Sequence, residues 1–183
     1  MKQTPPDTIS DRASSDASTS DKRTLWDKIK GIRLGMLTHR RPGGLLHSHP
    51  LVTQNKSFDE ADEDATLYFF ISERSEIASS LREDDMVNIT YTDPEGGSYV
   101  SVSGLARLSR DPTKVSQLWS PSAETWFAGG PSDPDLTLLE VEILDADYWD
   151  GKRSKKNHLF QSMKSMLTGR KTPSSQYHHV TVR

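Results

Sequence analysis

The chain has 183 residues, a formal net charge of −3, 33% hydrophobic residues and no cysteine. That length suits one domain with a real core, while the low apolar share implies that part of the chain stays outside it. Disulfides and thiolate metal sites are excluded, and no apolar run approaches the roughly 20 residues of a membrane helix. The amino end has no apolar centre of a signal-peptide kind, so a cytoplasmic location is expected.

Residues 1–22 are rich in Ser, Thr and Asp, with Ile9 the one large aliphatic residue after Met1. They are expected to form a disordered leader. Thr24 is positioned as the N-cap of a short helix burying Leu25, Trp26, Ile29 and Ile32. Leu34 to Thr38 and Leu45 to Val52 flank Pro42-Gly43-Gly44 and predict a β-hairpin. The polar stretch 55–64 predicts a loop, followed by a strand from Thr66 to Ser72 and a short helix capped by Ser75.

Further strands are predicted from Met86 to Thr92 and from Ser98 to Leu108 around the turn Asp93-Pro94-Glu95-Gly96-Gly97. The alternation of Tyr99, Ser101 and Ser103 with Val100 and Val102 predicts one polar and one packed face. Asp111-Pro112 marks a helix start, with Val115, Leu118 and Trp119 on one face. A Gly/Pro-rich loop from Ala128 to Asp135 leads into a strand from Thr137 to Leu144, with Leu139, Val141 and Ile143 inward. Beyond Gly151 the chain has eight basic residues and no acidic ones, against a net charge of −11 before it. Apolar residues from Leu159 to Leu167 have helical spacing, and residues 177–183 are expected to fray. Such a tail folds back on its own body or a twin subunit, or seeks an acidic partner; the interleaved apolar residues favour the former, and nucleic acid is not the expected partner. The resulting division is 1–22 leader, 23–151 barrel domain, and 152–183 basic helix and tail.

The order of these pieces, T-L-Y-F-F-I-S, M-V-N-I-T-Y-T-D-P, S-Y-V-S-V-S-G-L-A-R-L and A-D-Y-W-D-G, resembles the general stress protein branch of the pyridoxamine 5'-phosphate oxidase-like split barrels. The resemblance spans roughly Leu25 to Gly151. It implies a mainly β fold with flanking helices (α+β), a split β-barrel of FMN-binding type. It also implies a homodimer holding flavin at its interface: FMN, with FAD as the second candidate. The interface is expected around Val100 to Leu108 and near Trp149.

Three segments are the implied cofactor contacts. The first is His47, Ser48, His49, Pro50, Leu51, Val52, Thr53 and Gln54, where the family shows a strand ending R-P-M; His49 stands at the arginine that contacts the flavin phosphate, without a guanidinium fork. The second is Ser72, Arg74 and Ser75, a strand-to-helix junction suited to an anion. Ile77 stands there for the family's lysine, leaving Arg74 to supply the charge. The third is Trp149, in a segment similar to the oxidases' E-F-W-x-G element. Trp119 and Trp126 are further candidates for the groove, although a Trp at helical spacing equally serves a core.

The oxidases' R-L-H-x-R signature is matched by Lys155-Lys156-Asn157-His158-Leu159-Phe160, lacking both arginines, so vitamin B6 oxidation is not expected. His47-Ser48-His49 places two imidazoles on one strand face, but the sequence offers no third ligand nearby and no metal is expected. Two functions stay open: a weak flavin-dependent oxidoreductase, and a non-catalytic module that senses or stores a flavin or another planar ligand.

Overall fold

Alternating apolar residues build the barrel. In the computed structural model, which describes residues 22–57, 65–150 and 176–181, seven strands form one antiparallel sheet. Helix α1 (22–29) precedes β1 (Leu34–Arg40), β2 (Leu46–Val52) and β3 (Thr66–Ser72). Then follow α2 (Glu76–Leu81), β4 (Met86–Asp93), β5 (Ser98–Ser109), α3 (Pro112–Leu118), two 3-10 turns, β6 (Leu136–Asp150) and β7 (Gln176–Thr181). The strands run in the order β2-β1-β4-β5-β6-β3. An isolated bridge between Thr53 and Phe69 brings the two ends of that order together. The fold is a mainly β split barrel with flanking helices, as expected from the sequence.

Each strand sends alternate side chains inward. Leu37, Phe69, Ile89, Tyr91, Val102, Val141 and Ile143 meet in one core, all 2% exposed or less. Helix α1 buries Leu25 and Ile29 against this core where β1 begins, and α2 adds Ile77, Ala78 and Leu81. Because α2 runs from the end of β3 to the start of β4, it closes the opposite end. A second cluster lies outside the barrel, where Tyr68, Leu136 and Leu138 pack under Val115, Leu118 and Phe127.

The caps behave as their chemistry dictates. Ser75 Oγ accepts from Ala78 N at 3.1 Å, and Asp111 Oδ1 accepts from Thr113 N and Lys114 N with Pro112 in the first turn. Thr24, expected as a cap, lies inside α1, whose described part spans residues 22–29; end signals place helix boundaries only to within a turn.

Two differences have one origin, the length of β6. The sequence predicts a strand ending at Leu144 and a separate segment around Trp149; instead β6 runs unbroken for 15 residues. Ser103 pairs with Asp145 but Gly104 with Ile143, so Leu144 is a bulge residue. The extra residue changes which parity faces inward: Leu139, Val141 and Ile143 before it, Ala146 and Tyr148 after it. Gly104 permits this, because a Cβ there would lie 2.3 Å from the Glu142 carbonyl oxygen.

The second difference is a correction. The stretch expected to fray contains β7, which pairs with Asp145–Asp150. On that edge β3 pairs with Leu136–Glu142, so the rest of β6 needed another partner, and a polar six-residue strand supplies it. The leader up to residue 21 and the helix expected from Leu159 to Leu167 lie outside the described residues.

The junction of β2 and β3 rests on one buried amide. Asn55 Nδ2 donates to Thr66 O and its Oδ1 accepts from Tyr68 N, both at 2.8 Å. Asn55→Ala is expected to lower unfolding free energy by about 1–3 kcal/mol, the cost of orphaning buried peptide groups, as read from urea denaturation.

Candidate functional site

The two faces of the β1–β2 hairpin carry different chemistry. Outward on β2 are Ser48, Pro50 and Val52, opposite Thr38, Met36 and Leu34. The same outer layer continues through Asn88 and Thr90 of β4, then Ser101 and Ser103 of β5. It ends at Asp145, Asp147 and Trp149 of β6, with Tyr99 opposite Trp149. The bulge at Leu144 is what turns Trp149 outward, since Tyr148 fills the core.

Hydroxyls and amides run along this face. Thr38 Oγ1 and Ser48 Oγ lie 2.8 Å apart, and Asn88 Nδ2 donates to Ser101 Oγ at 2.9 Å. Beside them stand Leu34, Met36, Val52 and Met86, each 39–53% exposed. A row of large apolar side chains open to water and bordered by polar donors is the composition of a binding or docking surface.

Inward, the hairpin is polar where a barrel is normally apolar. His39 is paired across the ladder with His47, and His49 lies two residues further along β2. The rings of His39 and His49 stack with centroids 5.3 Å apart; those of His47 and His49 meet edge to face at 4.4 Å. His47 Nδ1 lies 3.1 Å from Glu76 Oε1 at the start of α2. Arg41 also pairs with Glu76 through two hydrogen bonds, which hold that carboxyl down at about 2. Burial, then the neighbouring His47 and His39, push the His49 imidazolium below its ordinary pKa and keep the ring neutral.

The structure therefore separates the residues that the sequence grouped. Ser48, Pro50, Val52 and Trp149 share the outer face. His47, His49 and Leu51 point inward. Thr53 Oγ1 is buried 2.7 Å from the Tyr91 hydroxyl, and Gln54 donates to Val52 O. Trp119 lies in the second cluster with its ring 5.6 Å from Phe70, apart from Trp149; Trp126 is 81% exposed.

At the β3–α2 junction, Ser72 Oγ donates to Asp135 Oδ2 at 2.7 Å, and Arg74 Nε lies 3.2 Å from Asp135 Oδ1. Glu73 and Glu76 add two more carboxylates. Ile77, at the place of the family's lysine, is a core residue. Each of these carboxylates is paired with arginine, Asp135 with Arg74, Glu73 with Arg82 and Arg110, and Glu76 with Arg41, so the cations of the junction are already engaged. An open groove of about 720 Å³ between α1 and the β4–β5 turn is no better, for Asp27, Asp93 and Glu95 line it against Lys28.

Sequence reasoning missed His39 and Glu76. The signal for His39 was available: a ladder closed by the Pro42-Gly43-Gly44 turn puts residues 39 and 47 opposite each other. Glu76 reaches the group only through the packing of α2, which no spacing encodes.

Comparison with known proteins agrees with this architecture. The chain is similar to the general stress FMN/FAD binding protein of Xanthomonas citri, with 26% identity, a TM-score of 0.62, and coverage of 74% of this chain and 92% of that one. It shares its fold with General Stress Protein 26 of Bacillus anthracis at 23% identity and a TM-score of 0.58, covering 70% and 91% of the two chains. The protein bli-3 of Neurospora crassa is 25% identical over 112 residues, 57% of this chain and 54% of that protein, so the chain spans about half the length of this curated relative. The family model described as pyridoxamine 5'-phosphate oxidase like matches residues 20–173, and with the split barrel above it establishes that the chain belongs to that family.

Proposed function

We propose that the chain is a homodimeric flavin-binding protein whose copies meet through the outer face of β2, β1, β4, β5 and β6. The flavin, FMN or FAD, lies along that seam. The observation carrying this reading is the face itself: Leu34, Met36, Val52 and Met86 stand open to water beside the Thr38–Ser48 and Asn88–Ser101 hydrogen bonds. Such a surface fits a planar ring that needs apolar cover and edge contacts. The relative from Xanthomonas citri, named for FMN/FAD binding, supports the flavin part of this reading. When bound, the flavin would supply electron or hydride transfer; this chain's residues would hold the ring and exclude water.

The phosphate is the part the structure fits poorly. Ser72 and Arg74 already face Asp135, and His49 turns away from the outer face. This favours, as a second reading, a module that stores or senses the flavin without turnover.

Light scattering at micromolar concentration should give a dimer, and the purified protein should absorb in the oxidised-flavin bands. Met36→Asp is expected to yield monomers and weaken FMN and FAD binding at least tenfold by titration calorimetry. Trp126→Asp, exposed elsewhere, should do neither. A monomeric wild type would overturn the shared site, and a dimer without affinity for either flavin would overturn the cofactor. A yellow dimer that nicotinamide donors never reduce supports storage or sensing.

A further inference from the structure

We propose that His39, His47, His49 and Glu76 form a four-ligand site for a divalent first-row metal ion, zinc(II) by ligand preference, which clips α2 to the β1–β2 hairpin. Each of the four offers a ligand atom, and these atoms all lie within 4.8 Å of one another. His39 is 1% exposed, yet neither of its ring nitrogens has a hydrogen-bond partner, and the same holds for buried His49 Nε2. Buried imidazole nitrogens left without partners are costly, and a metal ion satisfies such groups.

The surroundings meet the other requirements of such a site. Three histidines and one carboxylate are a donor set that zinc accepts, and four protein ligands give the closed coordination of structural sites. A tetrahedral ion with bonds near 2.0–2.1 Å needs its donors about 3.4 Å apart. Side-chain rotation at His47 and Glu76, which are 38% and 40% exposed, can supply part of the contraction. The backbones of His39 and His47 are paired in the strand ladder, a rigid base for ligands. Arg41 is the competitor, because it pairs with Glu76 and must release it as the ion enters. The site is independent of the flavin face, on the other side of the hairpin.

Cobalt(II) titrated into the full-length metal-free protein tests this. One equivalent per chain should produce the visible bands of a four-coordinate ion, to the red of flavin absorption, and zinc(II) should displace it. Zinc(II) should also raise the melting temperature. His49→Gln and His39→Phe are each expected to lower cobalt affinity at least 100-fold and abolish the bands, with circular dichroism confirming that the variants fold. His49→Gln, an exchange at a half-buried position, carries the test if His39→Phe does not fold. The double variant His178→Ala/His179→Ala should keep the bands. Absent bands in the wild type, bands that persist in His49→Gln, or bands lost in the double variant would overturn the assignment.

Discussion

Gly104→Val is expected to leave the protein largely unfolded, and Gly104→Ala to destabilise it by about 3 kcal/mol or more. A Cβ at this position would meet the Glu142 carbonyl oxygen at 2.3 Å and Val141 Cγ1 at 2.7 Å. The first obstacle is backbone in the middle of the longest ladder, so no rotamer change relieves it. Relief by moving β5 from β6 would disturb the bulge that sets which residues of the second half of β6 face the core. The midpoint of urea denaturation measures both effects. An alanine variant as stable as the wild type would contradict the close packing at this point.

Tyr91→Ala should cost about 3–5 kcal/mol, the range for deleting a large buried ring. Tyr91 is fully buried, and its ring lies over Gly35, whose missing side chain makes room for it. Tyr91→Phe keeps the ring but deprives the Thr53 hydroxyl of its partner at 2.7 Å, so a loss of about 1–2 kcal/mol is expected. The same burial pushes the Tyr91 phenol well above its ordinary pKa. In the unfolded chain the phenol ionises near its usual value of about 10, while the folded chain holds it neutral. Its contribution to stability is complete below that pH and declines as pH rises through it. Tyr91→Phe should remove this alkaline component, which denaturation at pH 8 and pH 11 would show.

Much of the barrel was legible because local chemistry and the global fold agree there. Pro42-Gly43-Gly44 fixes the first hairpin, Asp111-Pro112 starts α3, Ser75 caps α2, and alternation along β3 and β5 separates two faces. Alternation fails as a guide where parity changes, which is why β6 resembled two pieces divided at Leu144. The strand β7 has no apolar alternation because its place is decided by the open edge of β6. The His47–His49 pair was visible as a pattern, but its partners depend on strand register for His39 and on tertiary packing for Glu76. Ser72 and Arg74 resembled an anion site because Asp135, more than 60 residues away in sequence, could not be placed beside them.

The barrel's seam has a dynamic consequence. Successive strands from β2 round to β3 share extended ladders, whereas β2 meets β3 through the Thr53–Phe69 bridge, the adjacent Gln54 N to Tyr68 O hydrogen bond and the two bonds of the Asn55 amide. Local opening follows the fewest hydrogen bonds, so native-state fluctuations should peel the β1–β2 hairpin away from β3 before the ladder between β5 and β6 loosens. Amide hydrogens of β2 should then exchange through this partial opening, with a lower free energy and weaker denaturant dependence than those of β5, which should wait for global unfolding. Opening in that order would make the hairpin a separately cooperative unit within a single sheet.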